Sequence, residues 1–532
     1  MRSISAPLRE DMEKKGIDVS LTLEILDAYN EGFYDTIESV RARGVPQIDG
    51  SSVIDLRGTG RVVGGSGASD DPSSAPDPPV FTFSAEKAQE NLAAFGLKCP
   101  APVSENMDFS ASDLLAIGTT ILRFAAYGVL NGGSATSYAD GKKNLALGAE
   151  AFDSVAPAFA ALAPLCRDMP KGMTPAYINP DGSPGASFLE LKMRARLLLA
   201  AASPHSPSDV FAPTRHGRPD SGFLPLFQMT SRSNDATLTA YYENAISSPF
   251  LHRLAQQTGI APAPWLTGVQ PMIAAYSHSS EGRPKKIFDV AYGRQETSLP
   301  LPGGHGQCFR VLAAVLRELR GKGIRYACLG NVDNLGYTPD PVELAVMAIS
   351  GQPAGFDFAV RTPMDVKGGI LIETESSGRT VADIGPAISF EAVLDLERRG
   401  YSILFNCASG IFDLDYLVPR IDEIARRLPL RFSDQDKDAG KYSQAEQVTW
   451  EVTGILPSFL AFAVDKRDRF IAAKLLIDTL LTSGIGIGNP SLPENLRATA
   501  TSLHEGLASL LRNTYGLELC DGKWTPKELI SR

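Results

Sequence analysis

The chain is 532 residues long and 43% hydrophobic, enough to bury a large core and to form two or three units. Its net charge of −10 argues against a general nucleic-acid or membrane-surface binder, either of which needs a basic face, but leaves room for phosphorylated small molecules met by a few local lysines. No apolar run is long enough to span a bilayer, Met1-Arg-Ser-Ile-Ser lacks a hydrophobic signal core, and the six cysteines (Cys99, Cys166, Cys308, Cys328, Cys407, Cys520) are scattered with no Cys-x-x-Cys pair, so a cytoplasmic protein with reduced thiols is expected.

Residues 8–43 carry apolar side chains at helical spacing (Ile17, Leu21, Ile25, Leu26, Tyr29, Phe33) and predict a helical N-terminal layer. Gly64-Gly-Ser-Gly67 looks like a phosphate loop, but Asp70-Asp-Pro-Ser-Ser-Ala-Pro-Asp-Pro-Pro79 follows it. That composition predicts a flexible linker near 64–79, and its Asp pair would repel phosphate. A further helix is expected over 84–95. From Ser112 onward, helices alternate with short apolar strands, the mark of an α/β sheet with right-handed crossovers. Ala125-Ala-Tyr-Gly-Val-Leu-Asn-Gly-Gly-Ser-Ala-Thr136 is a strand-like run ending in a glycine turn. Lacking Cβ atoms, such a turn lets backbone N–H groups approach and cradle a phosphate, although a glycine pair after a strand also makes an ordinary tight turn.

Ser187-Phe-Leu-Glu190 has capping-box spacing and opens an amphipathic helix through Leu199. Residues 224–230 read as a strand, 306–320 as a helix stopped by Gly321 and Gly323, and 324–330 as a strand that delivers Asn331 and Asp333 to its C-terminal edge, where open α/β sheets bind ligands. Asp340-Pro-Val-Glu343 is another helix start, with proline at the first helical position. Residues 356–387 alternate around Gly368-Gly369 and Gly378 as antiparallel strands or a hairpin would, and 402–406 is one more strand. Beyond Phe412 the pattern predicts mostly helix, over 417–427 and 443–464, with a last amphipathic helix over 493–515.

In this order, several motifs together resemble the UDP-glucose pyrophosphorylase family of UTP:sugar-1-phosphate uridylyltransferases, over residues 130–480. They are Leu130-Asn-Gly-Gly133 with Thr136, Pro170-Lys171, Ser187-Phe-Leu-Glu-Leu191, Phe227-Gln-Met-Thr-Ser231, Gln270-Pro271, Gly304-His-Gly306, Asn331-Val-Asp-Asn-Leu-Gly336, Asp365-Val-Lys-Gly-Gly369, Phe405-Asn406, Gln444-Ala-Glu446 and Arg469-Phe-Ile-Ala-Ala-Lys474. The resemblance implies an α/β fold with a Rossmann-like nucleotidyltransferase core, a mixed sheet flanked by helices, with helical N-terminal and C-terminal parts. The expected divisions are 1–111 (N-terminal region and linker), 112–485 (core, with an insertion over 139–169) and 486–532 (short helical tail).

The implied partners are UTP and a sugar-1-phosphate, glucose-1-phosphate foremost, with no nucleic acid and no membrane, and the implied cofactor is Mg²⁺. Lys171 and Lys474 would hold the triphosphate and the two facing phosphates, and Asp333 would hold the metal. Leu130, Gly132, Gly133, Met229, Gln270 and Gly304 fall where the family contacts the uridine, and His305, Asn334, Gly369, Asp383 and Asn406 where it holds the sugar phosphate. Alternatives are the same fold acting on N-acetylhexosamine-1-phosphate and a non-catalytic, nucleotide-sugar-binding regulatory protein.

The chain departs from the family pattern in three places. Ser134-Ala135 replaces a second glycine step, 139–169 separates the glycine loop from its Pro-Lys, and a short helical tail follows Lys474 where eukaryotic members carry a β-helix. The inserted segment is expected to be a mobile lid or interface element, and Lys142 and Lys143 offer a second alignment of the loop lysine. Apart from the resemblance, Asp333 also suits a turn, His305 a helix cap, Asp383 a hairpin surface, and a lone lysine a solvated face.

Overall fold

A computed structural model describes residues 4–36, 40–59, 79–99, 104–133, 135, 138–202, 223–264, 266–362, 365, 368–375 and 378–527. The linker expected near 64–79 falls outside them as far as residue 78, as do Thr136, Val366 and Lys367.

Among the described residues, 11 strands form one central sheet. They are β1 (Ala42–Gly44), β2 (Val53–Asp55), β3 (Ala125–Leu130), β4 (Leu226–Ser231), β5 (Leu266–Gln270), β6 (Tyr326–Asn331), β7 (Ala354–Val360), β8 (Gly369–Thr374), β9 (Arg379–Asp383), β10 (Leu404–Asp413) and β11 (Leu460–Val464). The order is β2-β11-β7-β10-β6-β3-β4-β5, and β8 branches off to pair with β1, β9 and β10. Along the main run every pair is parallel except the two made by β10. The strands read as apolar runs because both faces are covered. In β3, Tyr127 and Val129 enter one core cluster and Ala126 and Leu130 the other; β6 repeats this with Tyr326 and Cys328 against Ala327 and Leu329.

Register places the site. Asn331 pairs with Leu130, Leu130 with Met229, and Ser231 with Gln270, so four parallel strands end together and send their following loops to one edge. Because β10 runs the other way, its beginning lies at this same edge, with Leu404 against Val360 and Asn406 against Phe358.

The helices that matter here are α1 (Ala6–Lys14), α2 (Val19–Asn30), α3 (Ala85–Ala93), α4 (Ala149–Cys166), α5 (Phe188–Ala202), α6 (Pro341–Ser350), α7 (Leu476–Thr482) and α8 (Glu494–Asn513). Their starts follow the local chemistry of the sequence. Glu190 N–H donates to Ser187 Oγ at 3.1 Å and Ser187 N–H to Glu190 Oε2 at 3.1 Å, the reciprocal cap that opens α5. Asp340 Oδ1 accepts from Val342 N–H at 2.8 Å to open α6. None of the described helices is long and apolar enough to cross a membrane.

Several segments differ from their expectation. The N-terminal layer holds α1, α2 and α3 and also donates β1 and β2 to the central sheet. Residues 443–464 are not helical: Gly440–Gln447 pairs antiparallel with Leu430–Lys437, and β11 follows a short 3₁₀ turn over Thr449–Gly454. The run Leu460-Ala-Phe-Ala-Val464 is buried throughout, and a continuous apolar run has no period to separate a core strand from a core helix.

Residues 139–169 do not form a lid. Ala151, Val155, Leu162 and Cys166 of α4 lie along one helical stripe inside the main core, and Asn144 Oδ1 accepts from Ile477 N–H at 2.9 Å, tying the segment to the start of α7. Its small apolar side chains are those of a packed helix face.

Candidate active site

The nucleotide-side residues meet where β3, β4 and β5 end. Leu130 and Met229 are buried neighbours in the register. A Cβ on Gly132 would lie 3.1 Å from Gln270 Oε1, so the glycine loop passes directly against that amide. Gln270 Nε2 donates to the Gly304 carbonyl at 2.7 Å and to Gln307 Oε1 at 3.0 Å, joining this wall to the loop before His305. Gly304 has φ +81°, and a Cβ there would lie 2.4 Å from the Gln447 carbonyl oxygen, so both conformation and space require glycine.

The Pro-Lys segment closes on the glycine loop despite the 30-odd residues between them. Lys171 N–H donates to the Gly133 carbonyl at 3.1 Å and Ala135 N–H to the Met169 carbonyl at 2.8 Å. Lys142 and Lys143 are exposed, on a turn capped by Asp140, whose Oδ1 accepts from Lys143 N–H at 2.8 Å. Of these three lysines, Lys171 is the one whose backbone closes on the glycine loop.

A charged centre follows. Lys171 Nζ lies 2.6 Å from Asp333 Oδ2, with both side chains mostly withdrawn from solvent, and 5.3 Å from the centre of the Tyr138 ring. The loop after β6 and the one before α7 run side by side: Leu335 N–H donates to the Ile471 carbonyl at 2.8 Å and Ala473 N–H to the Asp333 carbonyl at 3.2 Å. Lys474 is next in the chain, exposed, and its carbonyl lies 3.4 Å from Lys171 Nζ. Asp478 sits behind both lysines; burial pushes its carboxyl pKa up, opposed by the Leu475 N–H it accepts and by the Lys171 and Lys474 charges.

His305 belongs to the same locus. Nδ1 faces Thr449, whose N–H lies 3.2 Å and whose Oγ1 lies 2.8 Å from it, and Thr449 Oγ1 also donates to the His305 carbonyl at 2.9 Å. Burial lowers the imidazole pKa to about 4, with the Asp333 charge opposing and the Lys474 charge adding to the shift. At neutral pH the ring is thus uncharged, beside the charged centre. The folded ring binds its proton less readily than the unfolded chain, so this contribution to stability is complete above the ordinary histidine pKa of about 6.5 and is lost as pH falls from there toward 4. In melting-temperature profiles between pH 7 and pH 4, His305→Gln is expected to reduce the acid-side slope; parallel profiles for wild type and variant would contradict it.

On the sugar-phosphate side, Gly369 pairs with Asp383 across the β8–β9 hairpin, and a Cβ on Gly369 would lie 4.0 Å from Asn406 Cβ, so these three residues share one wall. Asp383 is exposed. Asn334 ties neighbouring loops together. It is completely buried, its Nδ2 donates to the Cys407 and Arg469 carbonyls at 3.2 and 3.0 Å, and its Oδ1 accepts from Gly336 N–H at 3.0 Å. An amide engaged on both sides holds loops together.

Tyr138 was not singled out by its sequence context. Its hydroxyl pairs with Thr479 Oγ1 at 2.7 Å, its carbonyl accepts from Leu476 N–H at 3.0 Å, and its ring underlies Lys171, so it joins the glycine-loop side to the helix behind Lys474.

Asp333 suits Mg²⁺ of the kind that accompanies phosphates. Among the described residues no group of three or more His, Cys, Asp or Glu is placed to cage a metal. A single carboxylate at the sheet edge suits an ion that takes one or two protein ligands and completes its shell with phosphate oxygens and water.

Residues 287–483 match the family model described as UTP–glucose-1-phosphate uridylyltransferase. Among solved structures, the chain is similar to UDP-glucose phosphorylase from Trypanosoma brucei (21% identity, 71% of this chain and 68% of that one, TM-score 0.48). It is also similar to UDP-glucose pyrophosphorylase from Leishmania major, solved in open and closed forms (16% identity, 77% and 70%, TM-score 0.47). A third is a putative UDP-N-acetylglucosamine pyrophosphorylase from Entamoeba histolytica (15% identity, 74% and 92%, TM-score 0.49). No curated protein matches the chain in sequence. Over residues 287–483, and there alone, the chain matches the model of the UTP–glucose-1-phosphate uridylyltransferase family.

Proposed function

We propose that this chain forms a UDP-sugar and pyrophosphate from UTP and a sugar-1-phosphate, with glucose-1-phosphate as the sugar substrate and Mg²⁺ as the cofactor. The observation that carries this is the Lys171–Asp333 pair, 2.6 Å apart, set beside Lys474 at the sheet edge where the glycine loop ends. The family match over 287–483 supports the uridylyltransferase chemistry.

A phosphate oxygen of the sugar-1-phosphate attacks the α-phosphorus of UTP. The new O–P bond forms as the bond from that phosphorus to the bridging oxygen breaks, and pyrophosphate leaves with the electron pair. The nucleophile is already an anion, so no side chain needs to remove a proton from it, and the protein's work is positioning and charge compensation. Lys171, held to the glycine loop through its own N–H, would sit against the triphosphate, and Lys474 between the two facing phosphates. His305 would present a neutral imidazole to the sugar phosphate. Asp333 would hold Mg²⁺, which would supply charge compensation to the phosphates. The walls containing Gly132, Gln270 and Gly304 and containing Gly369, Asp383 and Asn406 would orient the uridine and the sugar phosphate.

The test crosses nucleoside triphosphates with sugar-1-phosphates and reads pyrophosphate release. UTP with glucose-1-phosphate is expected to be the fastest pair. Faster release with N-acetylhexosamine-1-phosphate would move the proposal to that sugar, and no release with any pair would refute it.

A further inference from the structure

Four backbone carbonyls of the loop that follows Asp333 turn inward onto two buried cations. Lys192 Nζ, on α5, donates to the carbonyls of Asn334 and Tyr337. Arg469 Nη1 donates to the carbonyls of Gly336 and Thr338, at 3.3 and 2.9 Å. Arg469 is itself held by two carboxylates from different elements, Glu343 of α6 at 2.8 Å and Asp357 of β7 at 2.7 Å, and all three residues are at most 5% exposed. Ser409 Oγ, on β10, donates to Asp357 Oδ2 at 2.8 Å. The Arg469 carbonyl in turn accepts from Asn334 Nδ2 at 3.0 Å. One guanidinium thus joins the Asp333 loop, the Lys474 loop, the strand carrying Asp357 and, through Ser409, the strand carrying Asn406.

Buried ion pairs are weak stabilisers, because desolvation offsets much of their attraction; what a planar guanidinium fork supplies is fixed geometry. Arg469 touches none of the proposed substrate-binding groups directly. Four residues separate it from Lys474, and the intervening backbone is zipped to Asp333 and Leu335. We propose that Arg469 is a positioning residue that sets the distance between Asp333 and Lys474, and with it the alignment of the two phosphates. This rests on the uridylyltransferase function proposed above and adds to it a residue that acts through the loops.

The direct test is Arg469→Lys, which keeps the charge but cannot bridge two carboxylates and two carbonyls at once. Steady-state kinetics with UTP and glucose-1-phosphate are expected to show kcat lowered on the order of 10²-fold, the usual cost of an ångström-scale misplacement, with both KM values within about twofold of wild type. The Leu335 and Ala473 amides, whose N–H groups zip the two loops, should exchange hydrogen faster in the variant. A purely structural role is separated by the charge-neutral triple variant Arg469→Met/Glu343→Gln/Asp357→Asn, expected to keep the wild-type melting temperature but not its kcat.

Wild-type kcat in Arg469→Lys, or in the folded triple variant, would overturn the proposal. Should Arg469→Lys fail to fold, Ser409→Ala removes only the hydroxyl on Asp357 and is expected to lower kcat and speed exchange at the same two amides to a smaller degree; no change in either would overturn it. If wild type released no pyrophosphate with any substrate pair, the uridylyltransferase function would fail on its own. The exchange comparison would then decide the positioning role, and unchanged exchange at Leu335 and Ala473 would refute it.

Discussion

Replacing either lysine of the charged centre, Lys171→Ala or Lys474→Ala, is expected to lower kcat on the order of 10²- to 10³-fold, the cost of removing one preorganised donor from developing charge. With no general base in the reaction, each ammonium matters most when the uridylyl group is between its two partners, so kcat should fall more than substrate affinity. The folding consequences differ between the two. Lys474 is exposed and its loss should leave the melting temperature near wild type, whereas Lys171→Ala leaves the mostly buried Asp333 carboxylate without its 2.6 Å partner and should lower it modestly. Lys142→Ala and Lys143→Ala are controls on exposed lysines and should retain nearly full turnover. Loss of turnover in Lys143→Ala with retention in Lys171→Ala would contradict the assignment of the Lys171 side chain to the triphosphate.

Asp333→Ala is expected to have an effect at least as large, about 10³-fold or more in kcat, because a bridging divalent cation contributes several kcal/mol to charge compensation. The loop backbone that carries Asp333 is held by Leu335 N–H, by Asn334 and by the buried cations beneath it, so circular dichroism and the exchange of the β6 amides should be unchanged. Full activity in wild type with excess chelator, or in Asp333→Ala with Mg²⁺ present, would remove the metal from the proposal.

What the sequence revealed of this fold, it revealed through local chemistry. The glycine turn after β3, the reciprocal cap at Ser187 and Glu190, and Pro341 at the head of α6 each act within a few residues, and each is where the pattern places it. The same holds for Asp333, delivered to the sheet edge by a short buried strand. The parts that were not legible depend on distant partners. Nothing near Arg469 marks its ion pairs, since Glu343 and Asp357 lie 126 and 112 residues away in the chain. Asn334 fits a ligand group or a loop holder equally well until Cys407 and Arg469 present their carbonyls to it. Residues 139–169 read as an excursion because they separate two motifs that the resemblance places close together and are rich in alanine, yet Ala151 and Ala163 of α4 lie in the core. β11 has no period to read, and only its place between β2 and β7 makes it a strand.

In the proposed reaction the uridylyl group passes straight from one bound phosphate to the other, with no protein atom ever bonded to the α-phosphorus. The stereochemical course of transfer from a single diastereomer of UTP carrying sulfur at the α-phosphorus tests this. A single in-line displacement across the Lys171–Asp333–Lys474 centre predicts inversion of configuration in the UDP-sugar product. Retention would require two displacements and a uridylylated side chain, and would contradict a site that works by positioning and charge alone.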